Sequence, residues 1–229
     1  MRSRRVGVRI GMAMATLVLG AFASSAPAAA PGSETVGAPA AVAAAAETRN
    51  TAPQVALVRV QLHTELGDIL LGLDPQHAPI TSANFLSYVD QKRFDGSSFY
   101  RAVKLDEEGN SGLVQGGLRG DPERVLPPIA HEAPSTTGLK HVDGAISMAR
   151  AEPGTATADF FIVIGDLPNL DGQPGSDDPG YAVFGRVLDG MDVVRKILGR
   201  PRDPQAGDGD LKGQMIADPV QILTVRRIN

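Results

Sequence analysis

Apolar and polar residues alternate along several short stretches of the chain, and a period of two is typical of β-strands with one buried face. Val58, Val60 and Leu62 alternate with polar neighbours, and a second such stretch follows at 69–73 after a turn that contains Gly67. Together these two stretches predict a hairpin. Further strands are predicted at 98–103, 112–116, 144–148, 160–164, 182–187 and 220–228.

Two stretches have the spacing of a helix with one apolar face. The first begins near Pro79, a residue that suits the first turn of a helix, and the second covers 191–198. Residues 126–138 include three prolines and predict a long surface loop. Many short strands with only two helices favour an antiparallel β-barrel or sandwich over a fold of alternating strands and helices.

The first 30 residues have the pattern of a secretory signal peptide. A basic head precedes an apolar run and two small-residue cleavage sequences, so cleavage is expected between 23 and 30. A transmembrane anchor is the alternative, but Arg9 interrupts the run, which falls short of the roughly 20 apolar residues that a span needs. Residues 31–54 are rich in alanine and proline and predict a flexible linker, which leaves 55–229 as one domain.

Composition argues against several classes of function. The formal net charge is −4, and removal of a leader with four arginines and no acidic residue makes the remaining chain more acidic, which disfavours a nucleic-acid partner. The four histidines lack a metal-ligand spacing and cysteine is absent, so no metal or other cofactor is expected. Export without cysteine indicates a bacterial periplasm or an extracellular location, with no membrane span after signal cleavage.

Three short segments place bulky apolar residues beside one arginine and one glutamine. They are Phe99-Tyr100-Arg101, Leu113-Val114-Gln115-Gly116-Gly117, and Met148-Ala149-Arg150 followed by Phe160-Phe161. Residues two apart on a strand share a face, so Leu113 and Gln115 are expected to point together, whereas Phe160 and Phe161 point oppositely. An apolar recess with a guanidinium at its rim suits a ligand that is apolar on one side and carries a carbonyl on the other, such as a proline residue within a peptide.

The ordered series of these segments resembles the cyclophilin family, and most closely its bacterial exported branch. Tyr181-Ala182-Val183-Phe184-Gly185 and Gly190-Met191-Asp192-Val193-Val194 continue the series, so the resemblance extends from about Val58 to the C-terminus. It implies a closed eight-stranded antiparallel β-barrel capped by two α-helices, with the active site on the outer face. It also implies peptidyl-prolyl cis-trans isomerase activity on unfolded or newly exported polypeptides that contain proline, by a protein expected to be a monomer.

The resemblance also assigns roles to individual residues. Arg101 is similar to the catalytic arginine of the family, Gln115 to the glutamine that orients it, and Phe161 to the floor of the proline pocket. The predicted substrate-binding residues are Leu113, Ala149, Arg150, Asp159, Leu170 and Tyr181. Among them, Leu113 would form a wall of the pocket, Ala149 and Arg150 would hold the substrate backbone, and Leu170 and Tyr181 would close the far wall.

Several features depart from the family pattern, and two of them alter the segment before Gln115. Residues 105–112 lengthen the gap between Arg101 and Gln115, and Gly112 stands where a pocket phenylalanine is usual. The alternative function, a proline-peptide-binding chaperone module with little or no isomerase activity, rests on this altered region. Retention of Arg101, Gln115 and Phe161 together favours the enzyme, because binding alone would not require the arginine.

Overall fold

The computed structural model describes residues 56–172 and 177–228. The predicted signal peptide (1–30) and linker (31–54) lie outside these residues, so both stay predictions. The predicted hairpin at the start of the domain is present: strand β1 (Val58–Thr64) pairs antiparallel with strand β2 (Gly67–Leu73). Among the described residues, no helix is both long and apolar enough to cross a membrane.

The remaining strands complete a closed barrel. They are β3 (Ser97–Lys104), β4 (Gly112–Gly117), β5 (Ala145–Met148), β6 (Phe160–Ile164), β7 (Val183–Asp189), β8 (Arg202–Asp203) and β9 (Met215–Arg227). The strand order is β1-β2-β7-β5-β6-β4-β3-β9, and pairing of β1 with β9 closes the ring. All pairings are antiparallel, and β8 is a two-residue strand attached to β9. The predicted closed eight-stranded antiparallel β-barrel is therefore confirmed.

Both predicted helices are present as α1 (Pro79–Asp90) and α3 (Met191–Leu198). At the start of α1, the carboxylate of Glu132 accepts hydrogen bonds from the backbone N–H groups of Ile80 and Thr81, at 3.1 and 2.8 Å. These two groups have no partner within the helix itself, so the distant carboxylate satisfies them. The predicted loop at 126–138 contains one short additional helix, α2 (Pro134–Thr137).

Side chains fill the interior of the barrel. Five buried phenylalanines contact one another with ring centroids 5.0–5.8 Å apart: Phe85, Phe94, Phe99, Phe160 and Phe184. Phe160 is 1% exposed, as expected for the inward-facing member of the Phe160-Phe161 pair. Aliphatic residues of the strands complete this core. Since the interior is packed, ligands must bind on the outer face.

The last strand begins earlier than the alternation predicts. β9 starts at Met215 rather than at Val220, and its pairing with β3 is interrupted between these two residues. Pro219 lies in the interruption and has no N–H group to donate to a ladder, which is why the sequence shows a break there. The early start matters because it brings residue 214 next to β3.

Candidate active site

A β-bulge in β3 determines where Arg101 points. Phe99 and Ala102 both belong to the barrel core, although regular alternation would put them on opposite faces. The register with β4 shifts between Phe99 and Arg101, so Tyr100 is the extra residue of a bulge. As a result, Tyr100 and Arg101 both lie outside the core cluster, and the guanidinium reaches the outer face of the barrel.

The three predicted catalytic residues are neighbours in one row across the strands. Arg101 in β3 pairs with Gln115 in β4, and Gln115 pairs with Phe161 in β6. Residues directly opposite each other in an antiparallel sheet have Cα atoms about 4.5–5.5 Å apart. The structure thus brings together three residues that the sequence separates.

Two glutamines hold the Arg101 guanidinium. Nη1 donates to Oε1 of Gln115 at 2.7 Å, while Nε and Nη2 both donate to Oε1 of Gln214, at 2.8 and 2.6 Å. Burial lowers the pKa of Arg101 from its ordinary value, although an arginine of this kind stays charged. Because both acceptors are neutral amides, the side chain is held in place while its positive charge is left uncompensated.

A chain of hydrogen bonds continues from Gln115 to Asp159. Nε2 of Gln115 donates to the hydroxyl of Tyr100 at 2.8 Å, and the side chains of Tyr100 and Asp159 are also hydrogen-bonded. Burial raises the pKa of Asp159, and the hydrogen bond from the backbone N–H of Arg119, at 2.9 Å, opposes that shift. Each member donates to the next, and such chains strengthen their own bonds. Contact of Asp159 with substrate stays a prediction; its observed contacts are with Tyr100 and the turn after β4.

An apolar cluster outside the barrel surrounds Phe161. Its buried members are Ala145, Phe161, Val163, Leu167 and Val183, and Leu113, Leu139, Ala149, Leu170 and Tyr181 pack against them. Four of the predicted substrate-binding residues, Leu113, Ala149, Leu170 and Tyr181, thus lie around the predicted floor. The Tyr181 ring meets the Phe161 ring edge to face, with centroids 5.5 Å apart. The cluster is the apolar surface that the sequence predicts beside Arg101.

The side chain of Arg150 is engaged by the protein itself. Nη2 donates to the carbonyl of Gly180 at 2.6 Å and to Oδ1 of Asp178 at 2.8 Å. The guanidinium also lies over the Tyr181 ring, 4.8 Å from its centroid. Arg150 therefore supports the wall that Tyr181 forms, and its predicted contact with the substrate backbone stays a prediction.

Two buried polar residues and the partly exposed Asp171 hold the cluster from below. Ser147 pairs with Phe161 across the strands, and its hydroxyl lies 3.0 Å from Nε2 of His141. Nδ1 of His141 lies 2.7 Å from Oδ1 of Asp171, next to Leu170. The His141 ring also stacks on Phe161 at 5.8 Å, and Ser147 and His141 are 0% and 1% exposed. A serine, a histidine and an aspartate in this order resemble a hydrolytic triad, but a buried serine cannot meet a substrate, so the group serves to position the cluster.

The structure leaves no room for a side chain at Gly112. A Cβ atom added at Gly112 would lie 2.2 Å from the backbone oxygen of Val103. A larger residue would therefore require a shift of the β3–β4 hairpin. Leu113, the next residue, provides the apolar surface on this side of the site.

Sequence reasoning missed Gln214 and the role of Tyr100. Gln214 is 113 residues from Arg101, and no motif marks it. Tyr100 is next to Arg101 in the sequence, and regular alternation predicts that the two side chains lie on opposite faces of the strand. A polar residue just before an apolar strand at 215–216 is the only sequence signal for Gln214.

The chain is similar to known proteins over most of its described length. The family model described as "Cyclophilin type peptidyl-prolyl cis-trans isomerase/CLD" matches residues 59–226. A protein of Acinetobacter baylyi called peptidyl-prolyl cis-trans isomerase is 34% identical over 180 residues, which are 77% of this chain and 88% of that protein. Peptidyl-prolyl cis-trans isomerase A of Dickeya dadantii is 41% identical over 142 residues, which are 60% of this chain and 70% of that protein.

A solved structure shares the fold. The crystal structure of a cyclophilin-type peptidyl-prolyl cis-trans isomerase of Cryptosporidium parvum superposes with a TM-score of 0.60 at 22% sequence identity. The match covers 76% of this chain and 98% of that one. At this sequence identity, the structural similarity supports only the barrel architecture. The family model and the sequence relatives support membership of the family.

Proposed function

This chain belongs to the cyclophilin-type peptidyl-prolyl cis-trans isomerases and is an isomerase, and from that premise we propose how its residues divide the work. Arg101 is the catalytic residue, Gln115 holds it, and Phe161 forms the floor on which the proline ring rests. The remaining walls are formed by Leu113, Ala149, Leu170 and Tyr181, and Asp159 and Arg150 support them from outside.

The reaction breaks no covalent bond. Rotation about the bond before proline is slow because amide resonance imposes a barrier of about 18–20 kcal/mol. When the amide twists, resonance is lost, and the proline nitrogen becomes pyramidal with more lone-pair density. An enzyme accelerates the rotation if it binds this twisted state more tightly than the planar one.

Arg101 can supply that difference in binding. A guanidinium donates hydrogen bonds in a rigid fork, either to the pyramidal nitrogen or to the flanking carbonyls. Because Gln115 and Gln214 already hold it, it need not reorganise when the amide twists, and preorganised donors of this kind account for large rate effects. The apolar cluster holds the proline ring while the rest of the peptide turns.

One observation carries this assignment: the charged Arg101 is bound only by neutral amides in the described chain and lies in the same cross-strand row as Phe161. Arg226 and Arg227, by contrast, pair with the carboxylates of Asp95 and Asp90. The alternative of a binding module without turnover gives no reason to keep an uncompensated charge beside an apolar floor. Family membership also favours the enzyme.

Replacement of Arg101 tests the assignment. For Arg101→Ala we expect kcat/KM on a short X-Pro peptide to fall about 100- to 1000-fold, the usual effect of removing one preorganised donor. A protease-coupled isomerisation assay measures the change. Arg202→Ala is the matched control, since Arg202 is exposed and lies on β8, and its activity should equal that of the wild type. Wild-type turnover in Arg101→Ala would refute the assignment.

We further propose that the enzyme acts outside the cytoplasm, in a bacterial periplasm or after secretion, on unfolded or newly exported chains. The basic head and apolar run within residues 1–30 support export. Uncatalysed X-Pro isomerisation takes about 10–100 s, so a newly translocated chain would benefit from catalysis.

A further inference from the structure

A recess lies on the outer face of the barrel, where β1, β2, β7 and β5 meet. Its volume is about 630 Å³, which falls within the size range of ligand sites. Neither Arg101 nor Gln115 nor Phe161 lines it. The established activity leaves this recess without a role.

One row of residues across four strands forms the base of the recess. Arg59 in β1 pairs with Gly72 in β2, Gly72 pairs with Arg186 in β7, and Arg186 pairs with Ala145 in β5. Because adjacent strands are about 4.8 Å apart, the two arginine backbones lie roughly 10 Å from each other, with a glycine between them. The two arginines therefore lie on either side of Gly72, and both side chains are long enough to reach one anionic group outside the side chains of Leu57 and Leu188, which cover Gly72.

The recess carries positive charge that the protein does not neutralise. Arg59 and Arg186 are exposed, and neither forms an ion pair within the described part of the chain. Asp74 also lines the recess, but its carboxylate already accepts the backbone N–H groups of residues 76 and 77 and lies 2.7 Å from Nδ1 of His77. Lys140 adds a further cation at the rim, 3.7 Å from Asp171.

Aliphatic side chains form the rest of the lining. Leu57 and Leu188 extend over Gly72, where an added Cβ would lie 2.8 and 3.0 Å from their methyl groups. Val142 and Leu188 are 50% and 40% exposed at the rim. Leu139, Ala145 and Val183 line the recess and also belong to the apolar cluster around Phe161. The recess and the apolar cluster thus share three residues.

We propose that this recess binds a polypeptide segment of the substrate in which an acidic side chain lies next to an aliphatic one. Arginine pairs favour carboxylates because the guanidinium fork matches carboxylate geometry. The aliphatic rim and the shared residues with the Phe161 cluster favour a polypeptide over a small inorganic anion. The inference rests on the proposed function to the extent that the occupant is a client chain.

Binding of a peptide without proline tests the recess separately from catalysis. The probe is the peptide acetyl-Gly-Leu-Glu-Leu-Gly-amide, with the glutamine analogue as its control, titrated into the full chain and followed by amide NMR shifts. We expect the shifts to centre on Gly72, Ala145 and Arg186, and the glutamate peptide to bind about tenfold more tightly than the glutamine peptide. Charge-assisted hydrogen bonds are of the strength that corresponds to about tenfold in affinity.

Variants of the two arginines complete the test. Arg59→Gln and Arg186→Gln should each weaken binding of the glutamate peptide about tenfold, whereas Arg202→Gln, which removes an exposed arginine elsewhere, should leave it unchanged. All three variants should isomerise a short X-Pro peptide at the wild-type rate, so failure of the recess and failure of the proposed function give different results.

Three outcomes would overturn the proposal. Equal affinity for the two peptides would show that the arginines do not select a carboxylate. Displacement of the peptide by acetate at equal concentration would assign the recess to a small anion. A concentration-dependent dimer that Arg186→Gln abolishes, seen by analytical ultracentrifugation, would assign it to a second copy of the chain.

Discussion

Arg101 differs from Arg226 and Arg227 in the groups that accept its hydrogen bonds. Arg226 and Arg227 are each paired with an aspartate, Asp95 and Asp90. The acceptors of Arg101 are the amide oxygens of two glutamines. A buried charge needs hydrogen bonds to offset its desolvation, and the amides supply them without cancelling the charge. Arg101 therefore remains available to a substrate carbonyl or nitrogen.

Tyr100 is expected to position Arg101 through Gln115. Tyr100→Phe removes the hydroxyl that accepts from Gln115 and bonds to Asp159, so the glutamine loses the contact that fixes its amide. We expect kcat to fall about 3- to 10-fold, the effect of one lost hydrogen bond, with peptide affinity unchanged. Steady-state kinetics measures the change in kcat, and a binding titration measures the peptide affinity.

Tyr88→Phe is the matched control for this substitution. The Tyr88 hydroxyl also has a hydrogen-bond partner, since it accepts from the backbone N–H of Leu126 at 2.7 Å, but it lies outside the site. This variant should lose stability and keep its kcat. A kcat that falls equally in both variants would mean that Tyr100 has only a structural role.

At the scale of the elements, alternation predicted most strands because each has one face in the core. It could not predict the bulge at Tyr100, because a bulge changes the register with a partner strand, and single-strand patterns carry no information about partners. For the same reason Gln214 was missed: the β9 ladder starts before Pro219, and the contact joins residues far apart in the chain. The family motifs predicted Arg101, Gln115 and Phe161 from the sequence. The residues that hold them in place, such as Gln214, could be identified only from the structure.

The loop before β5 and the short helical turn at Pro168–Asp171 are joined by His141. Burial lowers the pKa of His141 from its ordinary value of 6.5, and the hydrogen bond that its ring donates to the Asp171 carboxylate opposes that shift. The native state thus binds this proton less readily than the unfolded chain does. The contribution of His141 to the free energy of unfolding is therefore fully present above pH 6.5, and it decreases as the pH falls below that value.

Urea denaturation at about pH 7.5 and about pH 5.5, which bracket the histidine range, measures this effect. We expect the free energy of unfolding to be lower at the acidic pH, and His141→Gln to reduce the difference. Burial also lowers the pKa of His131, so some of the difference should persist. An equal difference in wild type and His141→Gln would exclude His141 as the cause.

At the scale of the whole molecule, a closed and filled barrel places all ligand contacts on its outer face. Arg101 lies at β3 and β4, and the recess between Arg59 and Arg186 lies at β1, β2 and β7. The apolar cluster around Phe161 connects the two regions. Under our two proposals, neighbouring strands of the barrel carry a site for proline and a separate site for an acidic segment of the same polypeptide.

Export is expected to shorten the chain. When the full chain is expressed in a bacterium with a periplasm, we expect the protein in the periplasmic fraction or medium to begin between residues 24 and 31, because the small-residue sequences precede these positions. N-terminal sequencing of the purified protein measures this. Recovery of the uncleaved chain from the membrane fraction would instead support the anchor that Arg9 argues against.

Exchange NMR on one X-Pro peptide tests the central claim, because it measures binding and rotation in the same sample. With wild-type protein, cross-peaks between the cis and trans forms should appear within a fraction of a second, although uncatalysed exchange takes tens of seconds. With Arg101→Ala, the exchange rate obtained from the cross-peaks should fall about 100-fold. Chemical-shift titration should give a peptide affinity within about threefold of the wild-type value. Cross-peaks that persist at the wild-type rate in Arg101→Ala would contradict the account, as would a loss of exchange explained entirely by loss of binding.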